Sequence, residues 1–113
     1  MKRGDIVLLS YPFTDLSSVK VRPAIVISTD KFNAKSQDAL FMCVTSKSYN
    51  TKYDFQIETN HPDFKTTGLR TGSTVRISKI MSLKQTLIKR KLGIARPAIL
   101  KKISAGLKLL LEI

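Results

Sequence analysis

Few side chains in this sequence suit nucleophilic or acid–base chemistry. His61 is the only imidazole and therefore the only side chain whose unperturbed pKa lies near neutrality. That makes it a tempting general base, but its setting, Asn60-His61-Pro62-Asp63, reads as a turn. Cys43 is the only thiol and sits in the apolar run Ala39-Leu40-Phe41-Met42-Cys43-Val44. It reads as a buried core cysteine of a reducing compartment, with no partner for an intrachain disulfide. A lone His and a lone Cys give no basis for a metal site or a metal cofactor. Positive charge, by contrast, is abundant. The formal net charge is +12 and the pI about 10.2. Residues 1–60 hold 8 basic and 6 acidic side chains, whereas residues 61–113 hold 12 basic and 2 acidic. No acid lies between Asp63 and Glu112. A bias confined to one half of the chain points to a polyanionic partner, either nucleic acid or an acidic protein, rather than to a merely soluble surface. The basic residues from Lys84 to Lys108 are suited to tracking a phosphate backbone.

The elements that must position these charges are short. At 113 residues the chain is expected to form a single domain, spanning residues 1–113, without repeats or low-complexity segments. Nothing is long or apolar enough for a membrane span and the N-terminus has no signal-peptide pattern, so a cytoplasmic protein is expected. Ile6-Val7-Leu8-Leu9 reads as a first strand, and Thr14 to Lys20 as a polar loop that Arg22-Pro23 ends. Ala24 to Ser28 reads as a second strand and Ala39 to Thr45 as a third, joined by a polar connection with a helical turn. Tyr53 to Glu58 alternates strictly, as a half-buried strand does. Ser73 to Ile80 alternates again, with Val75 and Ile77 on one face and Arg76 and Ser78 on the other. Leu87 to Ala95 reads as a last strand. Pro97 opens a helix in which Ile99, Leu100, Ile103, Leu107, Leu110 and Leu111 recur at helical spacing. Gly106 weakens that helix by about 1 kcal/mol relative to Ala. Closely spaced short strands with one terminal helix argue for a mainly β small barrel or sandwich. Tyr11 and Phe13 are candidates to stack on bases, though barrel-core roles suit them better.

Several short motifs stand in a telling order: Gly4-Asp5-Ile6-Val7, Pro12-Phe13, Arg22-Pro23-Ala24, Val44-Thr45-Ser46, Gly68-Leu69, Ser73-Thr74-Val75-Arg76 and Lys91-Leu92-Gly93. Each is weak alone, but the ordered set resembles the MazF/PemK toxin endoribonucleases over nearly the whole chain. The resemblance implies an SH3-like barrel, shared with the CcdB gyrase poisons, and a homodimer. It implies metal-independent cleavage of single-stranded RNA and inhibition by a cognate acidic antitoxin that covers the RNA groove.

The resemblance also assigns roles. Arg22 of the Arg-Pro motif and Thr45 after the third strand match positions treated as catalytic. Without a metal, the RNA's own 2′-hydroxyl must attack the adjacent phosphorus. A guanidinium fork matches the non-bridging oxygens where charge gathers, and a hydroxyl adds one more donor. Arg76 is a third catalytic candidate. Some relatives pair it with an Asp two residues on, where this chain has Ser78, which cannot shuttle a proton as a carboxylate does. Asp15 and Lys20 of the first loop, with Ser46, Ser78 and Lys79, are the expected substrate-binding residues. Two other readings share the pattern: a barrel that binds nucleic acid or an acidic protein without cutting, and a CcdB-like gyrase poison.

Overall fold

A computed structural model describes residues 1–12 and 19–113, with side chains described at 1–10 and 20–113. The elements are β1 (Asp5–Pro12), β2 (Val19–Val26), α1 (Asp30–Lys35), β3 (Asp38–Thr45), β4 (Phe55–Ile57), α2 (Phe64–Thr67), β5 (Ser73–Lys84), β6 (Ile88–Ile94) and α3 (Pro97–Leu111). A single 3-10 turn, Gln85–Leu87, joins β5 to β6. The strands pair antiparallel in the order β4-β5-β3-β2-β1-β6 and curl into a half-barrel, with β4 and β6 at the edges. The mainly β barrel with a C-terminal helix expected from the sequence is the observed architecture.

Both faces of the curled sheet are buried, which explains why β1, β2 and β3 read as continuous apolar runs rather than alternating ones. On one face Ile6, Ile25, Met42, Val44, Val75 and Ile77 pack with Ile99 and Ile103 of α3. On the other, Val7, Leu9, Ala24, Val26, Phe41 and Cys43 form a second cluster, covered by Met81, Leu83, Leu87 and Ile88. Pro97 occupies the first turn of α3, where its missing N–H leaves no bond unmade. Gly106 has a packing reason: a Cβ there would stand 3.0 Å from Ile77 Cγ1 and 3.3 Å from the Tyr53 carbonyl oxygen. The glycine lets the helix approach β5 closely.

Four details differ from the sequence reading. β2 begins at Val19, so Lys20 and Arg22-Pro23 belong to the strand and not to the preceding loop. Pro23 is in register with Leu8 of β1 but lies outside the β2–β3 pairing, which starts at Ala24, so on the β3 side its missing N–H breaks no ladder bond. β4 keeps only Phe55–Ile57 of the alternating run, because Asp54 bonds to β5 through its side chain. The turn at Asn60–Asp63 leads into the short helix α2, which no periodicity announced. Finally, β5 is longer than expected and irregular. Met42 faces Ile80 while Val44 faces Val75, so β5 advances five residues where β3 advances two. The extra residues fall in the Arg76–Lys79 stretch, where simple alternation ends and Ser78 and Lys79 are exposed.

Candidate active site

Register brings together residues that are far apart in sequence. Arg22 on β2 faces Leu9 on β1. On its other side β2 pairs with β3 as Ala24↔Cys43, Ile25↔Met42 and Val26↔Phe41. That ladder ends at Ala24↔Cys43, and two residues beyond it on either strand Arg22 and Thr45 border one cavity. Alternation gives both residues the same face, that of Ala24 and Cys43. The chain after Thr45 is pinned: Lys47 N–H donates to Thr45 Oγ1 at 3.2 Å, and Thr74 Oγ1 donates to the Lys47 carbonyl at 2.8 Å.

A cavity of about 310 Å³ opens at this end of the strands. Arg22 and Pro23 of β2 border it, with Val44, Thr45 and Ser46 at the end of β3 and Leu8 of β1. Arg90 and Leu92 of β6 form a second wall, and the Gly68–Thr71 segment with Ser73 forms a third. Three arginines and several hydroxyls thus surround one space, and none of the described residues lining it is Asp or Glu. The described lining residues thus give this space a positive potential, which favours an anion.

The third wall is built by two glycines. Gly68 ends α2 in the left-handed region at φ 71°, and a Cβ on it would stand 2.1 Å from the Leu92 carbonyl oxygen. A Cβ on Gly93 would stand 2.2 Å from the Thr66 carbonyl oxygen. The α2 terminus therefore lies backbone to backbone on β6, holding Leu69 and Arg70 at the cavity's edge. The second wall is set by register shifts. β6 pairs with β1 as Ile6↔Gly93, Val7↔Lys91, Leu8↔Arg90 and Leu9↔Ile88, so Leu92 and Lys89 are extra residues on either side of the Lys91–Arg90 pair. Bulges of this kind bend a strand and re-aim its side chains.

Arg76 stands apart from the cavity. Its Nε donates to Asp54 Oδ2 at 2.9 Å, and Ile77 N–H donates to Asp54 Oδ1 at 2.9 Å. The Asp54 side chain is 2% exposed, and the Arg76 guanidinium lies 3.6 Å from the centre of the Tyr49 ring. This arrangement ties the 46–54 segment to β5. Ser46 borders the cavity, whereas Lys20, Ser78 and Lys79 are exposed outside it. The expectations for Asp15 and Phe13, and for the Tyr11 ring, lie outside the described residues. His61 is a turn residue: its Nδ1 accepts from Asp63 N–H at 3.0 Å. Sequence reasoning missed Arg70, although the flanking Gly68 and Gly72 were a visible signal. It also missed Asp54, whose role depends on a partner 22 residues away. Among the described residues no group of His, Cys, Asp or Glu gathers as metal ligands, and no helix is long and apolar enough to cross a membrane.

Fold and site define a small β-barrel protein with an arginine-lined cavity fit for an anionic ligand. Solved structures share the fold at low identity. One, described as an endoribonuclease in complex with its cognate antitoxin from a Mycobacterial species, matches at a TM-score of 0.80 and 17% identity, covering 100% of this chain and 96% of that one. MazF from Deinococcus radiodurans matches at 0.78 and 20%, covering 100% and 97%. The MazE-MazF complex from the same organism matches at 0.77 and 22%, covering 100% and 97%. No curated protein matches the sequence. The family model of PemK-like, MazF-like toxins of type II toxin-antitoxin systems matches residues 2–111, and the chain belongs to that family.

Proposed function

We propose that this toxin acts in the cytoplasm as an endoribonuclease on single-stranded RNA, as a homodimer restrained by an acidic cognate antitoxin. The observation that carries the reading is that Arg22 of β2 and Thr45 of β3 border one cavity, which Arg70 and Arg90 also line and to which the described residues contribute no Asp or Glu.

In this reading the 2′-oxygen of one nucleotide attacks the adjacent phosphorus. The bond to the 5′-oxygen of the next nucleotide breaks. The products are a 2′,3′-cyclic phosphate and a 5′-hydroxyl, and one proton moves from the attacking to the leaving oxygen. Arg22 presents its planar donors to the non-bridging oxygens as their charge grows. Thr45 donates a further hydrogen bond or orients the attacking hydroxyl. Arg76 serves as a positioning residue, holding the 46–54 segment through Asp54 and Tyr49. Ser46 contacts the substrate at the cavity, while Lys20, Ser78, Lys79 and Asp15 serve the flanking strand.

The deciding experiment is cleavage of a long single-stranded RNA in EDTA, with Arg22→Ala and a DNA control in parallel. Wild type is expected to cut RNA alone and to leave 5′-hydroxyl ends, and Arg22→Ala to lose about 10²–10³ in rate. A folded wild type that binds RNA but never cuts it would refute the enzyme reading in favour of a non-cutting binding barrel.

A further inference from the structure

We infer that the cavity is a nucleotide subsite beside the Arg22–Thr45 pair, in which Arg70 and Arg90 hold the phosphate of a nucleotide neighbouring the scissile linkage. The inference rests on the RNA-cleaving reading for the identity of its ligand.

Position is the first argument. Arg22 and Arg90 stand on strands separated by β1, about 10 Å apart at two strand spacings. One phosphate at Arg22 and Thr45 therefore leaves the Arg90 wall for another. Chemistry is the second argument. Leu8, Pro23, Leu69 and Leu92 supply an apolar surface against which an unstacked base can lie. A volume of about 310 Å³ is at the scale of a small-ligand site. Construction is the third. The two devices at the Gly68–Leu92 and Gly93–Thr66 contacts, together with the bulges at Leu92 and Lys89, all serve to place Arg70 and Arg90 at one opening.

The test is binding of a fluorescent single-stranded RNA of mixed sequence, measured across a salt series with Arg70→Gln, Arg90→Gln and the double variant. Lys31→Gln on exposed α1 is the control. The slope of log K against log salt is expected to shrink by about 0.7 for each arginine, the value for one phosphate contact on a single strand, and to be unchanged for Lys31→Gln. A strand of the same length without bases is expected to bind wild type more weakly than the full RNA, with the difference reduced in Leu69→Ala. Folding of each variant is checked by its thermal transition, and Arg90→Lys, which keeps the charge, is expected to restore the slope. Unchanged slopes in folded Arg70→Gln and Arg90→Gln would overturn the subsite. So would variants that bind RNA normally but no longer bind a poly-glutamate peptide, since the cavity would then be a carboxylate site. A wild type that never cuts RNA would refute the proposed activity and leave the binding slopes to decide the subsite separately.

Discussion

At the scale of single residues, the two arginines named from sequence differ in physical situation. Arg22 is exposed within β2 and borders the same cavity as Thr45. Arg76 is committed to Asp54 and Tyr49. Asp54→Ala would leave a largely buried guanidinium and the Ile77 N–H without their carboxylate. We expect unfolding free energy to fall by about 3 kcal/mol in urea denaturation, near the low end for a broken buried pair because Arg76 keeps some solvent contact. A change below about 0.5 kcal/mol would show the pair to be incidental. Thr45→Val keeps the β-branched shape and removes the hydroxyl, and with it the bond from Lys47 N–H. Cleavage is expected to drop by more than ~10-fold, with stability falling by no more than about 1 kcal/mol. An unchanged rate would remove Thr45 from the chemistry. That Arg22 and Thr45 border one cavity accords with their motifs, each a short recognisable string, and the rates of Arg22→Ala and Thr45→Val test their roles. The Asp54–Arg76 pair was not legible in the sequence, because Tyr53 to Glu58 alternates as a strand would and nothing local reveals that Asp54 leaves it.

At the scale of elements, apolar run and alternation located all six strands and the terminal helix, because burial on one or both faces leaves a periodic trace. Boundaries were harder. The Pro23 ring argued for a loop end, yet β2 runs through it because β1 pairs with it from Val19 onward and β3 joins only at Ala24. The bulges in β5 and β6 left no trace in the pattern, because a bulge is a property of two strands and not of one. Gly68 and Gly93 stood out only as motif letters, and the structure supplies their reason. Gly93→Ala would force its new methyl into the Thr66 and Thr67 backbone, and Gly68→Ala would add a left-handed strain to a clash with Leu92. Each is expected to lower stability by about 1–3 kcal/mol or more, Gly68→Ala the more severely. Both should also impair RNA binding at temperatures where the variants remain folded, since Arg70 is held by the contact they break. A Gly93→Ala protein of wild-type stability would mean that α2 is free to move away from β6.

At the scale of the whole molecule, charge sets two opposing responses to salt. The chain carries +12, and several of its few acids are engaged internally: Asp5 with Lys91 at 3.2 Å, Asp54 with Arg76 and Asp63 with Arg96 at 3.9 Å. The remaining positive charges repel one another in the folded state and are screened as the Debye length falls from about 30 Å at 0.01 M to about 10 Å at 0.1 M. The free protein should therefore melt at a higher temperature as salt rises through that range. RNA binding should weaken over the same range, because bound phosphates return the counterions they had released. An acidic antitoxin segment would replace salt in the first response and RNA in the second, raising the melting temperature while displacing the nucleic acid. Thermal melts and RNA-binding isotherms at matched salt concentrations test both together. If the free protein instead melts lower as salt rises, internal ion pairs outweigh the repulsion. The stabilisation expected from an acidic partner would then have to come from its contacts and not from its charge.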